Sequence, residues 1–159
     1  MMTENKVILS AEKVQLIEEL AQVNETLGHQ PAMSKILALL TVSDETELSF
    51  DQIKETLGLS KSAVSQALTQ LSMVKKISYK TRIGDRKRYF HVRMADWDTQ
   101  ILQQFQGIES LIAIYKKVLA ERPASTKEFN DSMADMTNFL SLVHNQVIAT
   151  YQKYQEEHK

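Results

Sequence analysis

Leu48-Ser49-Phe50-Asp51-Gln52-Ile53-Lys54-Glu55-Thr56-Leu57-Gly58-Leu59-Ser60 runs directly into Lys61-Ser62-Ala63-Val64-Ser65-Gln66-Ala67-Leu68-Thr69-Gln70-Leu71. Ser49 is placed to cap a short helix whose Phe50, Ile53 and Leu57 share one face. Gly58 ends that helix, because glycine enters the left-handed conformation that closes a helix at no steric cost. Ser60 then caps a second helix reaching to about Val74. Two helices joined by a tight, glycine-containing turn form a helix-turn-helix pattern.

The second helix is two-faced. Val64, Leu68 and Leu71 lie toward Ile53 and Leu57. Lys61, Ser62, Ser65, Gln66 and Thr69 lie on the other side, with Ser60 at the start. That outer face carries no large apolar residue and no acid. Small hydroxyls allow close approach to a major groove, glutamine pairs bidentately with adenine, and serine or threonine reaches several base edges. Lys61, in the first turn, suits a phosphate. The plain alternative is a solvated polar face.

Outward on the C-terminal side, Ile77 to Val92 reads as a β-hairpin. Ile77, Tyr79, Thr81 and Ile83 alternate, as do Tyr89, His91 and Arg93, with Gly84-Asp85 as the turn. A hairpin after a helix-turn-helix is a wing. Its cations are Lys80, Arg82, Arg86, Lys87 and Arg88, and arginine is favoured in a narrow minor groove. Asp85 is expected to cap the turn or to orient Arg88 or Arg86. An edge hairpin kept soluble by charge is the competing explanation.

Net charge over the whole chain is −1, but it is unevenly spread. Between Asp51 and Arg93 there are ten basic and three acidic residues, a balance of +7, against −8 for the rest. A basic stripe on an acidic body is the electrostatic footprint of a nucleic-acid-binding surface.

The flanks are helical. Residues 10–27 form a helix capped by Ser10, with Leu16, Leu20, Val23 and Leu27 recurring at helical spacing. Gly28 closes it and Pro31 opens a second helix to about Thr41, whose Ile36-Leu37-Ala38-Leu39-Leu40 run belongs in the core. An acidic loop, Ser43-Asp44-Glu45-Thr46-Glu47, follows. Asp96 is expected to cap a long helix striped by Trp97, Ile101, Phe105, Ile108, Ile112, Tyr115 and Leu119, stopped at Arg122-Pro123. Ser125-Thr126-Lys127-Glu128 reads as a capping box opening a final helix. Along it Met133, Met136, Leu140, Val143, Val147, Tyr151 and Tyr154 follow near-heptad spacing.

These stripes exceed what a domain of about 50 residues covers. The expected organisation is therefore an N-terminal helix over 1–30, contributing to dimerisation, a winged helix-turn-helix over 31–94, and a helical dimerisation region over 95–159. Leu16, Leu20, Met133, Met136, Leu140, Val143, Val147 and Tyr151 are the expected dimer contacts. A monomer whose terminal helices fold back on each other is the competing arrangement. The fold class is mainly α (α+β), in keeping with only 4 glycines and 2 prolines in 159 residues.

Composition also excludes chemistry. With no cysteine, disulfides, thiolate catalysis and cysteine-based zinc sites are absent. His29, His91, His144 and His158 lack metal-ligand spacing, and no phosphate-cradling glycine loop or nucleophile motif occurs. Asp131 and Asp135, one helical turn apart, match many solvated helices. No enzyme activity, cofactor or metal is expected. Met1 to Leu9 lacks the features of a signal peptide, and Ile36–Leu40 is too short to span a bilayer, so the expected setting is cytoplasmic, away from membranes.

Several of these segments together resemble the GbsR branch of the MarR-like regulators. They are Gly28-His29-Gln30-Pro31 leading into Ile36–Leu40, Leu48 to Ile53, Leu59 to Leu68, and Gly84-Asp85-Arg86-Lys87-Arg88-Tyr89-Phe90. The likeness spans about residues 10–120. It implies a homodimeric winged-helix repressor, and some members of that branch respond to choline or related osmoprotectants. The wider MarR-like pattern carries Asp-x-Arg in the wing. Here Lys87 stands at that arginine position, flanked by Arg86 and Arg88.

A small-molecule effector is therefore an open partner. Trp97, Phe105 and Tyr115 are the aromatics available for a quaternary-ammonium cage, although aromatics at helical spacing are more often plain core. The main expectation is a homodimeric transcriptional regulator, a repressor on pseudo-palindromic double-stranded DNA. A winged-helix module that docks on protein is the alternative. Docking helices usually present aromatic or aliphatic anchors, and residues 61–69 present none.

Overall fold

Glycine and serine punctuation is turned into structure at the expected places. The computed structural model describes residues 5–158. The first four residues of the expected 1–30 segment, and Lys159, lie outside the described residues. Helix α1 spans Ala11–Thr26, with the Ser10 hydroxyl accepting from the Lys13 amide. Gly28, at φ +94, closes it. The Gly28 and His29 amides turn back to the carbonyls of Glu25 and Asn24. Helix α2 (Pro31–Val42) opens on proline.

Strand β1 is only Leu48–Ser49, and helix α3 (Phe50–Leu57) follows without a gap. Ser49 and Gln52 form a reciprocal capping box: the Ser49 hydroxyl accepts from the Gln52 amide, and the Gln52 side chain accepts from the Ser49 amide. Gly58 adopts the left-handed conformation, and Ser60 caps helix α4 (Lys61–Met73) through the Ala63 amide. At the end of α4, Lys75 takes φ +58. Its amide and that of Lys76 bond back to the carbonyls of Ser72 and Leu71.

Strands β2 (Ile77–Thr81) and β3 (Arg88–Val92) pair antiparallel, and β1 adds to the free edge of β3. The register sets Tyr79 opposite Phe90, Lys80 opposite Tyr89 and Leu48 opposite Phe90. Strand β1 is not visible in the sequence, since two residues cannot display alternation. The hairpin turn also differs from expectation. Ile83 and Gly84 are its central residues, closed by the Asp85 amide onto the Arg82 carbonyl at 3.1 Å. Gly84 sits at φ +82, the conformation required at the third position of such a turn.

The chain divides between Met94 and Ala95 into two units. In the first, Ile36, Leu39, Leu48, Ile53, Val64 and Leu71 are fully buried and form one core. Helix α1 packs on α2 and contributes Ile17 and Ala21 to that core. Burying these aliphatic side chains supplies about 1.5–3 kcal/mol each, which fixes the angle between α3 and α4.

The second unit is a pair of packed helices, α5 (Trp97–Glu121) and α6 (Lys127–Glu157). Ile112 is buried, Phe105, Ile108, Tyr115 and Leu119 are partly buried, and the N-terminal end of the same stripe stays more exposed. Two expected caps are not formed. Asp96 precedes α5, but its carboxylate takes the Gln100 amide nitrogen rather than a first-turn backbone group. Thr126 precedes α6 and donates its hydroxyl to the Pro123 carbonyl, so the Ser125–Glu128 capping box is absent. The corner is held instead by Arg122, which donates to Asn130 at 2.7 Å and lies over the Phe129 ring.

Candidate nucleic-acid interface

Helix α4 presents the face that its spacing predicts. Ser60, Lys61, Ser62, Ser65, Gln66 and Thr69 are all exposed, while Val64, Ala67, Leu68 and Leu71 are buried. Two of the hydroxyls have local work. Ser60 caps the helix and lies 3.1 Å from the Ser62 hydroxyl, and Thr69 donates to the Ser65 carbonyl at 2.9 Å. Among the described residues, the side chains of Lys61, Ser65 and Gln66 have no hydrogen-bond or ion-pair partner. The rigid α3–α4 core therefore carries a row of free polar groups.

The wing divides its cations between two sides. Arg86, Lys87 and Arg88 line a cavity of about 650 Å³ together with Ser65 and Thr69 of α4. Phe50, Leu68, Tyr79 and Phe90 form its apolar floor. Arg88 lies 4.7 Å from the Tyr79 ring centroid, a cation–π contact that aligns it. Among the described residues the Arg86 and Lys87 side chains are without a hydrogen-bond or ion-pair partner.

Arg82 and Lys80 lie elsewhere. A smaller polar recess of about 240 Å³ is lined by Glu45, Glu47, Gln52, Arg82, Lys87 and Tyr89. There Arg82 Nη2 donates to Glu47 Oε1 at 2.5 Å, and Lys80 Nζ is 4.0 Å from the same carboxylate. The Arg82 guanidinium also stacks 3.7 Å from the Tyr89 ring centroid. Hydrogen bonding from Arg82 holds the Glu47 carboxyl below the ordinary glutamate range, and Glu47 in turn keeps Arg82 more firmly protonated. Of the five wing cations, Arg86 and Arg88 line the α4-side cavity alone, Lys87 lines both recesses, and Arg82 lines the smaller one.

Asp85 corrects a sequence expectation. Its carboxylate caps the turn, accepting from the Lys87 amide at 2.9 Å, but its side-chain partner is the Tyr89 hydroxyl at 2.6 Å rather than Arg86 or Arg88. The Tyr89 hydrogen bond, then the Lys87 amide, lower the Asp85 pKa, and the same bond raises that of Tyr89. Tyr79, Tyr89, Phe50 and Glu47 also line these recesses or hold the wing cations, and the sequence did not single them out for the site. Alternation placed Tyr79 and Tyr89 on strands, but which cation each ring holds depends on the register of the hairpin.

No family model and no curated protein matches this chain. Solved structures do. One described as a transcriptional regulator aligns with TM-score 0.70 at 18% identity, over 91% of this chain and 99% of that one. The chain has a winged-helix fold. Two further structures, the adhesin competence repressor AdcR from Streptococcus pyogenes and a mutant of S. aureus MepR, align over 86% of this chain and 99% of theirs. Their identities are 18% and 16%, with TM-scores of 0.39 and 0.42.

Elsewhere, the aromatic-cage expectation changes membership. Trp97 and Phe105 line a cavity of about 370 Å³ in the second unit, but with Ile101, Val147, Tyr151 and Tyr154 rather than Tyr115. Asp98 at its edge accepts from the Gln155 amide at 2.6 Å. Of the expected dimer contacts, Leu20, Met133, Leu140, Val143, Val147 and Tyr151 are partly buried within the single chain, while Leu16 and Met136 are exposed. Among the described residues no helix is long and apolar enough to cross a membrane, and no three His, Asp or Glu side chains are placed to hold a metal.

Proposed function

We propose that this protein is a sequence-specific double-stranded-DNA-binding transcriptional regulator, acting as a homodimeric repressor on a pseudo-palindromic operator. The observation that carries this reading is the shared cavity, where Ser65 and Thr69 of α4 face Arg86, Lys87 and Arg88 of the wing. A helix with free hydroxyl and amide groups beside a cationic hairpin matches a duplex at two levels. Gln66 and Ser65 read base edges in the major groove, while Lys61, Arg86, Lys87 and Arg88 engage phosphate and the narrow minor groove. Among the described residues Arg86 is the wing arginine whose side chain has no partner, and it is assigned to the minor groove. Its neighbour Arg88 is steered by Tyr79.

Dimerisation is supported by apolar side chains left in water by the single chain. Leu16 on α1 is 51% exposed, and on α6 Phe139 and Leu142 are 64% and 70% exposed beside Met136. Pairing two copies covers such stripes, and a two-fold dimer suits an operator whose half-sites lie about one helical turn apart. The winged-helix likeness to a structure described as a transcriptional regulator, and the sequence likeness to the GbsR branch, both agree with this role.

Two variants test it. Gln66→Ala is expected to relax sequence choice at one base pair by about 1–3 kcal/mol. Arg86→Ala is expected to weaken binding to every duplex and to flatten its salt dependence by about 0.9 per wing engaged. If both bind as the parent does, the assigned surface is wrong.

A further inference from the structure

We propose that Glu47 is an intramolecular counter-ion that withholds Arg82 from DNA phosphate, and so sets how many charges each wing contributes to binding. The proposal rests on the DNA-binding reading and adds to it a residue from the acidic loop before β1. Its basis is the unequal state of the wing cations. Arg82 is gripped on two sides, by the Glu47 carboxylate at 2.5 Å and by the Tyr89 ring at 3.7 Å. Tyr89 is itself fixed through its hydroxyl to Asp85, and Asp85 to the Lys87 amide. Glu47 is the less exposed partner, its side chain 23% accessible against 55% for Arg82. Arg86 and Lys87, five residues or fewer along the chain, have no such partner among the described residues.

Counterion release gives this arrangement a consequence. A free cation that neutralises a phosphate releases one condensed ion from the duplex. Arg82 cannot do so at no cost. To reach a phosphate it must leave Glu47 and strand a bare carboxylate beside the duplex, so one anionic partner is merely exchanged for another and Arg82 stays with Glu47. Salt dependence therefore counts Arg86, Lys87 and Arg88 and omits Arg82. Removing the Glu47 charge without changing its shape releases Arg82 to join the count. Lys80, 4.0 Å from the same carboxylate, is loosened by the same change.

The experiment is a salt series of duplex binding with the full chain, comparing the parent, Glu47→Gln and the double variant Glu47→Gln with Arg82→Gln. Glu47→Gln is expected to bind a random duplex several-fold tighter, with a log–log slope steeper by about 0.9 or more per wing, and the added Arg82→Gln to reverse most of that gain. A merely structural role for Glu47 predicts the opposite, a weaker and shallower response, and that result overturns the proposal, as does an unchanged slope. If Glu47→Gln does not fold, the side-chain NMR signals of the parent decide. Arg82 is expected to stay put on titration with DNA while Arg86 shifts, and equal movement of both overturns the proposal. A parent protein that binds no duplex at low salt removes the DNA-binding reading, and the Glu47 role with it. A parent that binds while Glu47→Gln behaves identically removes the Glu47 role alone.

Discussion

Tyr89 donates its hydroxyl to Asp85 at 2.6 Å, from the second residue of β3 back into the loop before that strand. This bond closes the wing from inside. Asp85 also accepts the Lys87 amide, so one carboxylate fixes both the loop backbone and the ring on which Arg82 stacks. Tyr89→Phe keeps the ring and removes the bond. Hydrogen exchange at the Lys87 amide is expected to accelerate while amides of α3 and α4 keep their protection. Unchanged exchange at Lys87 contradicts the closure.

Glu47 and Asp85, the two carboxylates that hold the wing, predict a pH window. Glu47 and Asp85 both have pKa values lowered in the folded state, from ordinary values of 4.5 and 3.8, chiefly by hydrogen bonds from Arg82 and Tyr89. A lowered folded-state pKa contributes stability that is fully present above the unfolded value and is lost as pH falls through the folded one. The wing should therefore be fully closed at neutral pH and loosen only below the ordinary carboxylate range. Carboxyl-carbon NMR titration is expected to give midpoints below 4.5 for Glu47 and below 3.8 for Asp85. Midpoints at or above those values contradict the network.

Lys75 is a lysine in a glycine's position. It closes α4 at φ +58, where a side chain costs about 1–2 kcal/mol and glycine loses about 0.5–1 kcal/mol in unfolded-chain entropy. Lys75→Gly is thus expected to stabilise the first unit by about 0.5 kcal/mol in urea denaturation. A loss of stability contradicts the strain.

The proposed pairing through α6 predicts an effect on assembly. Met136→Glu places a charge on the exposed apolar stripe next to Phe139 and Leu142. It is expected to leave the helical content intact, to convert the protein to monomer in analytical ultracentrifugation, and to weaken binding to a two-half-site duplex far more than to a single half-site. Retention of the parent's mass contradicts this surface as the dimer contact.

Legibility from sequence followed the range of the interaction. Ser49, Gly58 and Ser60 carry their structural reasons within a few residues, through caps and a left-handed turn, so α3, α4 and the exposed face of α4 were readable. Alternation showed β2 and β3. Strand β1 was hidden because its two residues are strand only by pairing with β3. The Ser125–Glu128 box matches its pattern, yet Thr126 bonds to Pro123 and Arg122 instead, a local competition that spacing does not rank. The sorting of wing cations was not readable, since Glu47 and Arg82 stand 35 residues apart and meet only once the sheet forms. Composition marks all five cations alike, and the fold distinguishes them.

Whether the α4 face and the wing form a duplex-binding surface is decided by fluorescence anisotropy of a labelled random duplex across a salt series. Binding is expected at low salt, with log affinity falling against log salt at a slope of roughly −4 to −8, as several phosphate contacts require. No binding at low salt, or affinity indifferent to salt, would contradict it.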